Sequence, residues 1–372
     1  MAIVLVPVYN IRRTTPSFGN NLRLWPNAAR GLVRNREDER LQRKMIIAVP
    51  SAGTREGLRP VDMSRDFPQV IELLRMVFGE SLDGGEHQIF GDPASATVQG
   101  LVYRLHPAAA RLSNGFVWEA NGKIVGNATL LTTRAWDRYL VANVAVHPAY
   151  RRQGIARGLM EAITTNVVNR GGRVILLQVV KDNQSAIDLY KSLGYVSIAN
   201  MATWYASASR LREIPLAGKA EAEPAIGLLP GRDWREAYEL DTAHVQADLN
   251  WPEPLQPDAY RRGMWHRLTD FLNARQSETW TTSDSRGRLT GLASIYGEWG
   301  RSYQLTLRVR PDWAGQLERP LLAKAIRRLH YLPRRNVRID HPEVDGLVDT
   351  LLRDSNFTVQ RILTHMRLDV SR

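Results

Sequence analysis

Apolar positions in the first part of the chain follow a helical spacing and then a strand-like one. Residues 64–78 carry apolar side chains at the i, i+3, i+4, i+7 spacing of one buried helix face. Residues 116–120 and 123–132 are two strand-like runs joined by Asn121-Gly122, a dipeptide that strongly favours a two-residue hairpin turn. The pattern therefore predicts a helix followed by an antiparallel hairpin.

The pattern that follows alternates strands with helices. It predicts a strand at 139–146, a helix at 157–170, a strand at 174–180 and a helix at 183–193. The third of these segments is almost wholly apolar, which is typical of a strand buried on both faces. An antiparallel hairpin followed by alternating strands and helices predicts an α+β fold, with a mixed, mostly antiparallel sheet flanked by helices.

The rest of the chain repeats this pattern after a linker at 210–224 that is rich in Ala, Glu and Lys. Val309-Arg310-Pro311 echoes Val146-His147-Pro148, and the apolar positions that follow are in register. A period of about 160 residues indicates a duplicated domain. The second pass predicts a strand at 225–229, helices at 234–249 and 258–272, and a hairpin formed by 278–284 and 288–296.

Length and composition agree with two globular domains. The chain has 372 residues, of which 44% are hydrophobic and 24% are charged, values that exclude a mostly disordered or collagen-like protein. We expect a leader at 1–44, a first domain at 45–209, a linker at 210–224 and a second domain at 225–372. The oligomeric state is open between a pseudo-dimer of the two domains and a further homodimer.

The basic charge is concentrated at the start of the chain. The formal net charge is +12, and residues 1–44 hold eight Arg and one Lys against three acidic residues, which is half of that excess. This segment lacks heptads, a series of aromatic residues and a DNA-reading helix, so nucleic-acid binding is disfavoured. Since Met45 opens the first convincing strand, we interpret residues 1–44 as a flexible leader.

The cysteine count and the hydropathy pattern exclude further classes of protein and of site. The chain contains no Cys, which excludes disulfides, thiolate metal sites and a cysteine nucleophile. It has no apolar run near the length of a membrane helix and no signal-peptide order at its start. The eight His residues form no pair at helical spacing, so we expect no metal site. The absence of Cys and of a long apolar run leads us to expect a cytoplasmic protein without membrane contact.

The segment with the clearest chemistry is Arg151-Arg152-Gln153-Gly154-Ile155-Ala156, between a predicted strand and a predicted helix. A strand that leads through a glycine turn into a helix directs several unpaired backbone N–H groups, together with the helix dipole, at one point. A pyrophosphate fits that point, because Gly154 and Ala156 allow close approach and the arginines add charged hydrogen bonds. An ordinary basic turn before a helix is the alternative.

Two longer segments, 143–156 and 183–195, resemble the GNAT superfamily of N-acetyltransferases, and most closely its ribosomal-protein alanine acetyltransferase branch. The resemblance covers roughly residues 57–206. It implies that acetyl-CoA binds between the strands at 139–146 and 174–180. The implied cofactor contacts are the backbone of Val144, Ala145 and Val146 for the pantetheine arm and acetyl carbonyl, residues Arg151, Arg152, Gln153, Gly154, Ile155 and Ala156 for the pyrophosphate, and Asn183 near the reactive end.

Tyr190 is the candidate catalytic residue. Attack of an amine on a thioester expels a thiolate, and a phenol with an ordinary pKa near 10 is protonated at neutral pH, so it can donate a proton as that charge develops. From spacing alone, the commoner explanation is that Tyr190 is the aromatic member of an amphipathic helix face. The family resemblance favours the role of general acid.

The general base is harder to identify. Asn143 and Gln178 occupy positions that are often acidic in the family, which weakens the expectation of a ribosomal substrate. Candidate substrate-side acids are Glu119 on the first hairpin and Glu80 and Asp83, with Glu86, in the segment after the first helix. Each is otherwise a solvated surface residue. Together they would attract a cationic amine.

The second domain resembles a degenerate GNAT domain. Alignment of the repeats places Leu317 at the position of Gly154 and Arg319 at that of Ala156, and, after one deletion, Leu352 at that of Tyr190. We therefore expect an acetyl-CoA-dependent N-acetyltransferase whose first domain is catalytic, with a primary amine of a small molecule or peptide as acceptor. The alternatives are a non-catalytic acyl-CoA sensor and a protein N-terminal acetyltransferase.

Overall fold

The computed structural model describes residues 56–79, 115–133, 135–215, 225–244, 260–261, 275–298, 301–343 and 346–370. The leader at 1–44, the start of the expected first domain, most of the helix at 258–272 and the acidic residues Glu80, Asp83 and Glu86 lie outside these ranges. Within them, no helix combines the length and hydrophobicity needed to cross a membrane.

The first half of the chain, residues 56–215, follows the predicted element order, and its first hairpin is confirmed. Asn121 and Gly122 have φ values of 52° and 72°, the left-handed pair that a tight hairpin turn requires. The elements are β1 (Gly57–Pro60), α1 (Met63–Phe78), β2 (Gly115–Ala120), β3 (Lys123–Thr132), β4 (Arg138–Val146), α2 (Ile155–Asn169), β5 (Val174–Val180), α3 (Gln184–Ser192) and β6 (Val196–Ala206).

The second half, residues 225–370, repeats that order, as the duplication predicts. Its hairpin turn also contains a left-handed glycine, Gly287, with a φ of 79°. The elements are β7 (Gly227–Leu228), α4 (Trp234–His244), β8 (Gln276–Ser283), β9 (Leu289–Gly297), β10 (Tyr303–Val309), α5 (Glu318–Leu329), β11 (Val337–Pro342), α6 (Gly346–Asp354) and β12 (Thr358–Asp369).

The strands of both halves form one continuous sheet. Its order is β1-β2-β3-β4-β5-β12-β6-β11-β10-β9-β8-β7. The pairs β4/β5 and β10/β11 are parallel, and the other described pairs are antiparallel. The expectation of mixed, mostly antiparallel sheets flanked by helices is confirmed, while the domain limits at 209 and 225 stay a prediction.

The order of the central strands shows that the halves exchange their last strands. Strand β12 of the second half pairs with β5, and strand β6 of the first half pairs with β11. A sequence reading that treats each domain separately does not predict this arrangement, because both exchanged strands are ordinary last strands along the chain. Each half therefore completes its sheet with a strand from the other.

The exchange follows an approximate twofold symmetry that can be read from residue numbers. Helices α3 and α6 differ by 162 positions at both ends. The same shift carries Gln178 onto Asp340 and Thr203 onto His365, and the register pairs Gln178 with His365 and Asp340 with Thr203. The two cross-half contacts are thus equivalent positions.

The exchanged strands also supply core residues to the opposite half. Trp204 on β6 is buried in the core beneath α5 and α6, and Met366 on β12 is buried in the core beneath α2 and α3. These two residues are again related by the shift of 162. Because a buried large apolar side chain contributes about 1.5–3 kcal/mol relative to exposure, each half is stabilised by the other.

Candidate active site

The site begins at a bulge in strand β4. The register with β3 shifts between the pair Asn127–Ala145 and the pair Thr129–Ala142. Two steps along β3 therefore face three steps along β4, and the extra residue of β4 lies in the stretch that contains Asn143. Asn143 has a left-handed φ of 53°, and Asn127 Nδ2 donates a hydrogen bond of 2.8 Å to its carbonyl. A bulge bends its strand and disrupts the ladder locally.

Beyond the bulge, β4 and β5 separate. Their parallel pairing runs from Arg138–Val174 to Val141–Leu177 and stops there. Residues 142–146 and 178–180 continue as strands without pairing to each other, and we call the gap between them the split. The edge of β4 that carries the backbone of Val144, Ala145 and Val146 therefore has no strand partner on this side, and buried backbone groups require one.

The candidate pyrophosphate loop lies at the end of β4. A 3-10 turn over Pro148–Tyr150 is capped by His147, whose Nδ1 accepts from Ala149 N at 3.2 Å. Arg152 and Gly154 then adopt left-handed φ values of 65° and 79°. His147 is therefore a turn residue, as its place in the sequence indicates, and two left-handed residues turn the chain into α2.

This loop leaves a set of backbone N–H groups unused. The first helical hydrogen bond of α2 runs from Gly158 N to Gly154 O at 3.0 Å, and the amides of residues 153–157 donate to no described group. A Cβ at Gly154 would meet nothing within 4 Å, so the space beside this residue is open. Residues 151–154 are exposed, whereas Ile155 and Ala156 are buried in the core.

The arginines of the loop differ in their contacts. Arg151 Nε lies 3.4 Å from Val146 O, a contact that ties the loop back to the end of β4. Arg152 makes no ion pair with any residue that the structure describes. The predicted backbone contacts of Val144–Val146 and the loop at 151–156 thus lie at the same end of β4.

Tyr190 lies on α3 and is fully buried in the first-half core. Its hydroxyl has no hydrogen-bond partner among the described residues, and its ring contacts Tyr195 edge to face, with centroids 5.7 Å apart. Burial raises the pKa of Tyr190 well above its usual 10, so the phenol is protonated. An unpartnered buried hydroxyl costs about 1–3 kcal/mol, and the hydroxyl of the adjacent Tyr195 is also buried without a partner among the described residues.

Asn183 caps the helix that carries Tyr190. Its Oδ1 accepts from Ala186 N at 3.3 Å, and its backbone N donates to Val180 O at 2.9 Å. These contacts fix the start of α3 directly after β5. Asn183 thus caps the helix that carries Tyr190, and its contact with the cofactor stays a prediction.

Glu119 lies away from the split. It is on β2, two strands from β4, and its Oε2 accepts from Arg59 Nε at 2.7 Å and from Arg65 at 3.4 Å. Arg59 also pairs with Asp66 at 2.5 Å. Burial acts to raise the pKa of Asp66, but the hydrogen bonds from Arg59 and the Asp62 backbone lower it to about 2. These ion pairs give Glu119 a structural role at the start of α1.

Sequence reasoning missed His365. This residue lies on β12, opposite Gln178, and its Nε2 is 3.1 Å from Gln178 Nε2. The two residues are 187 positions apart, and no motif in the sequence connects them. Their proximity follows from the strand exchange alone.

The second half keeps the separation of its two parallel strands, because β10 and β11 pair only from Tyr303–Val337 to Leu305–Ile339, but it differs from the first half in the other features of the site. Strands β9 and β10 pair from Gln304–Tyr296 to Val309–Gly291 without a register shift, so the bulge is absent from these strands. Leu317 occupies the position before α5 that Gly154 has before α2, and it is buried in the core. Leu352 replaces Tyr190. No group of three potential metal ligands occurs among the described residues.

Comparison with known proteins agrees with this geometry. Residues 87–195 match the family model described as "Acetyltransferase (GNAT) family". The [ribosomal protein bS18]-alanine N-acetyltransferase of Escherichia coli K12 is 39% identical over 75 residues, which is 20% of this chain and 49% of that protein. The chain therefore spans about half the length of the curated relatives it matches.

Solved structures support the fold of the whole chain. A GCN5-related N-acetyltransferase from Sphaerobacter thermophilus aligns with a TM-score of 0.54 and 17% identity, covering 85% of this chain and 96% of that one. The GCN5-related glucosamine N-acetyltransferase region of a fungal multi-domain β-N-acetylglucosaminidase aligns with a TM-score of 0.53 and 14% identity, covering 87% of this chain and 39% of that one. At these identities the likeness concerns the fold.

Proposed function

We propose that this chain, which carries a GNAT-family acetyltransferase domain in its first half, transfers the acetyl group of acetyl-CoA to a primary amine of a small molecule or peptide. The observation that carries the proposal is that three features occur together in one half of the chain: the split, the open loop at 151–154 and the unpartnered hydroxyl of Tyr190. The second half also has parallel strands that separate, since β10 and β11 pair only as far as Leu305–Ile339. It has Leu317 and Leu352 at the positions of Gly154 and Tyr190, and we assign it a structural and substrate-shaping role.

The loop provides the binding energy for the cofactor. The free amides of residues 153–157 and the start of the α2 dipole favour a pyrophosphate, and the charges of Arg151 and Arg152 add to that preference. Because each such charge interaction contributes about 0.3–1 kcal/mol, binding depends on several donors acting together. Val144 and Val146 present unpaired backbone groups to the pantetheine arm along the split.

Tyr190 provides the proton for the leaving group. Bound acetyl-CoA supplies the thioester that the amine attacks. The Tyr190 hydroxyl is protonated, lacks a described protein partner and lies on the helix that follows β5, so it donates its proton to the sulfur as the thiolate forms. The amine reacts in its neutral form, the proton that its nitrogen loses on forming the amide passes to water, and the phenolate regains a proton from water. The net products are the acetylated amine and the free thiol of CoA. Asn183 holds the start of that helix and thereby the position of the phenol.

A calorimetric titration with acetyl-CoA tests the binding site. We expect one site per chain, and a loss of affinity of at least tenfold in Gly154→Leu. Gly315→Leu is the matched control, because Gly315 precedes α5 with a similar φ of 85° and also has nothing within 4 Å of a Cβ. Two sites per chain, or equal affinity in the two variants, would refute the proposed location.

A panel of acceptors tests the reaction. An alanyl peptide with a free N-terminus is included because the E. coli relative is named as an alanine N-acetyltransferase, and Nα-acetyl-lysine amide represents side-chain amines. Release of free thiol in the presence of an amine would establish transfer. The second candidate function is an acyl-CoA sensor, which the neutral side chains of Asn143 and Gln178 favour, and it predicts binding without turnover.

A further inference from the structure

The strand exchange places a residue of the second half at the split of the first. Gln178 directly follows Leu177, the last residue of β5 that pairs with β4, so it lies where the strands separate. His365 on β12 is its neighbour across the ladder, with the two Nε2 atoms 3.1 Å apart. The first-half site is therefore bordered by a side chain of the second half.

The chemistry of this contact sets the direction of the hydrogen bond. An amide nitrogen can only donate, so Gln178 Nε2 donates and the imidazole Nε2 accepts, which requires a neutral ring. Burial of His365 lowers its pKa to about 4, against the opposing effect of Asp340, so the ring is neutral near pH 7. Gln178 Oε1 accepts no hydrogen bond from the described residues.

Gln178 and Tyr190 lie on opposite faces of the sheet. Leu177 and Val179 pack in the same core as Tyr190, and side chains alternate along a strand, so Gln178 points to the other face. An amine that approaches the split from the face of Gln178 meets the thioester from one side. The phenol of Tyr190 lies on the other face.

In the equivalent contact of the second half, both carboxylate oxygens of Asp340 already accept hydrogen bonds from protein groups. Asp340 Oδ1 accepts from Thr203 Oγ1 at 2.6 Å and from Arg338 at 3.0 Å, and Gln304 Nε2 lies 3.4 Å from its Oδ2. Gln178 differs because one partner holds its nitrogen and its oxygen remains available. The oxygen of the half-buried Gln178 is therefore free to accept a hydrogen bond at the split.

We infer that His365 is a positioning residue for the acceptor: it holds Gln178 Nε2 so that Gln178 Oε1 accepts a hydrogen bond from the N–H of the attacking amine. This inference rests on the proposed acetyl transfer. It makes the second half a contributor to the acceptor side of the site, in addition to its role in the sheet.

The contact also indicates the class of amine. Residues 142–146 and 178–180, which border the split, include no acidic residue, and a neutral amide cannot remove a proton from an ammonium group. At pH 7.5 the neutral fraction of an α-amino group exceeds that of a lysine side chain roughly two-hundredfold, given pKa values of about 8 and about 10.4. We therefore expect α-amines to be preferred over lysine side chains.

The kinetic test uses full-length protein, alaninamide as the acceptor, and Nα-acetyl-lysine amide for comparison. His365→Leu is expected to raise the KM for alaninamide about tenfold and to change acetyl-CoA affinity less than twofold. His365→Gln, which can still accept from Gln178, is expected to restore the KM to within threefold. Thr203→Val removes the equivalent cross-half hydrogen bond of the second half, and its KM is expected to equal that of the wild type.

Three outcomes would overturn the inference: a wild-type KM in His365→Leu, a His365→Gln variant no better than His365→Leu, or equal KM increases in His365→Leu and Thr203→Val. The double variant Gln178→Leu/His365→Leu gives a further check. If His365 acts through Gln178, the double variant is no more impaired than Gln178→Leu alone, whereas additive losses contradict the inference.

A spectroscopic measurement separates this inference from the proposed function. In ¹⁵N-labelled full-length protein, the imidazole Nε2 of His365 is expected to show the shift of an unprotonated nitrogen between pH 6 and pH 8. A protonated Nε2 would overturn the inference even in an active enzyme. Absence of transfer to any amine, with an unprotonated Nε2, would instead refute the proposed acetyl transfer and the acceptor role together.

Discussion

The two halves of this chain share element order and strand pairing but differ at three positions of the candidate site. The first half has a bulge at Asn143, an open glycine at 154 and a phenol at 190, whereas the second half has an unbroken β10, a buried Leu317 and Leu352 at the equivalent places. Two of the three positions in the second half are thus filled by leucine side chains of its core. The duplicated fold therefore forms without the bulge and without an open glycine at the start of its helix.

The exchanged strands explain why both halves have been kept together. Each half lacks a strand that only the other supplies, and Trp204 and Met366 are buried in the opposite cores. A half expressed alone would expose the edge of its fifth strand and lose one core residue. The comparison therefore concerns two regions that differ in chemistry and depend on each other for folding.

The largest expected effect comes from Tyr190→Phe. Turnover should fall roughly 10²- to 10⁴-fold because the general acid is lost, with little change in acetyl-CoA affinity. The free energy of unfolding should stay equal or rise by up to about 1 kcal/mol, because the variant removes a buried hydroxyl without a described partner. Steady-state kinetics and urea denaturation measure the two quantities.

Tyr303→Phe is the matched control for that variant. Tyr303 is as deeply buried as Tyr190, but its hydroxyl donates to Gln276 Oε1 at 2.8 Å. Its removal should lower the free energy of unfolding by about 1 kcal/mol and leave turnover unchanged. If Tyr190→Phe behaved in the same way, Tyr190 would be a core residue and the proposed general acid would be wrong.

The next largest effect is expected from a variant that weakens the strand exchange between the two halves. Trp204→Ala should reduce the free energy of unfolding by about 3–5 kcal/mol, the usual range for a buried Trp, and the whole chain should still unfold in one transition. Trp136→Ala, at a Trp that is 69% exposed, should change stability by less than about 0.5 kcal/mol. Urea denaturation followed by circular dichroism and by fluorescence would show two separate transitions if the halves were independent.

The sequence was sufficient to predict the elements and to place the loop at 151–156 between a strand and a helix, because those features are local. Alternating and helical spacings, the Asn121-Gly122 turn and this loop depend on neighbouring residues. The strand exchange and the contact between Gln178 and His365 were not predictable, since they depend on which of two similar last strands pairs with which fifth strand. The capping of α3 by Asn183 is also local, but its cofactor contact stays a prediction.

The smallest expected effect is a difference in the pH dependence of stability between the two cross-half contacts, Gln178–His365 and Asp340–Thr203. For His365 the native pKa of about 4 lies below the ordinary 6.5, so the unfolded chain binds the proton more readily and stability falls as the pH drops from about 6.5 to 4. For Asp340, burial acts to raise the pKa, but Arg338 and Thr203 lower it overall, so its contribution is lost only below about pH 4.

His365→Gln should therefore abolish the first loss, which amounts to about 3 kcal/mol at its full extent, and Asp340→Asn should abolish the second while leaving the first intact. Urea denaturation at half-unit steps from pH 7 to pH 3 measures both. If the acid sensitivity between pH 6.5 and 4 persisted in His365→Gln, another group would cause it, and the pKa of His365 would not be lowered in the native state. The hydrogen bond from Gln178 Nε2 to a neutral imidazole would then lose its support, and the two halves would not differ in the way their contacts indicate.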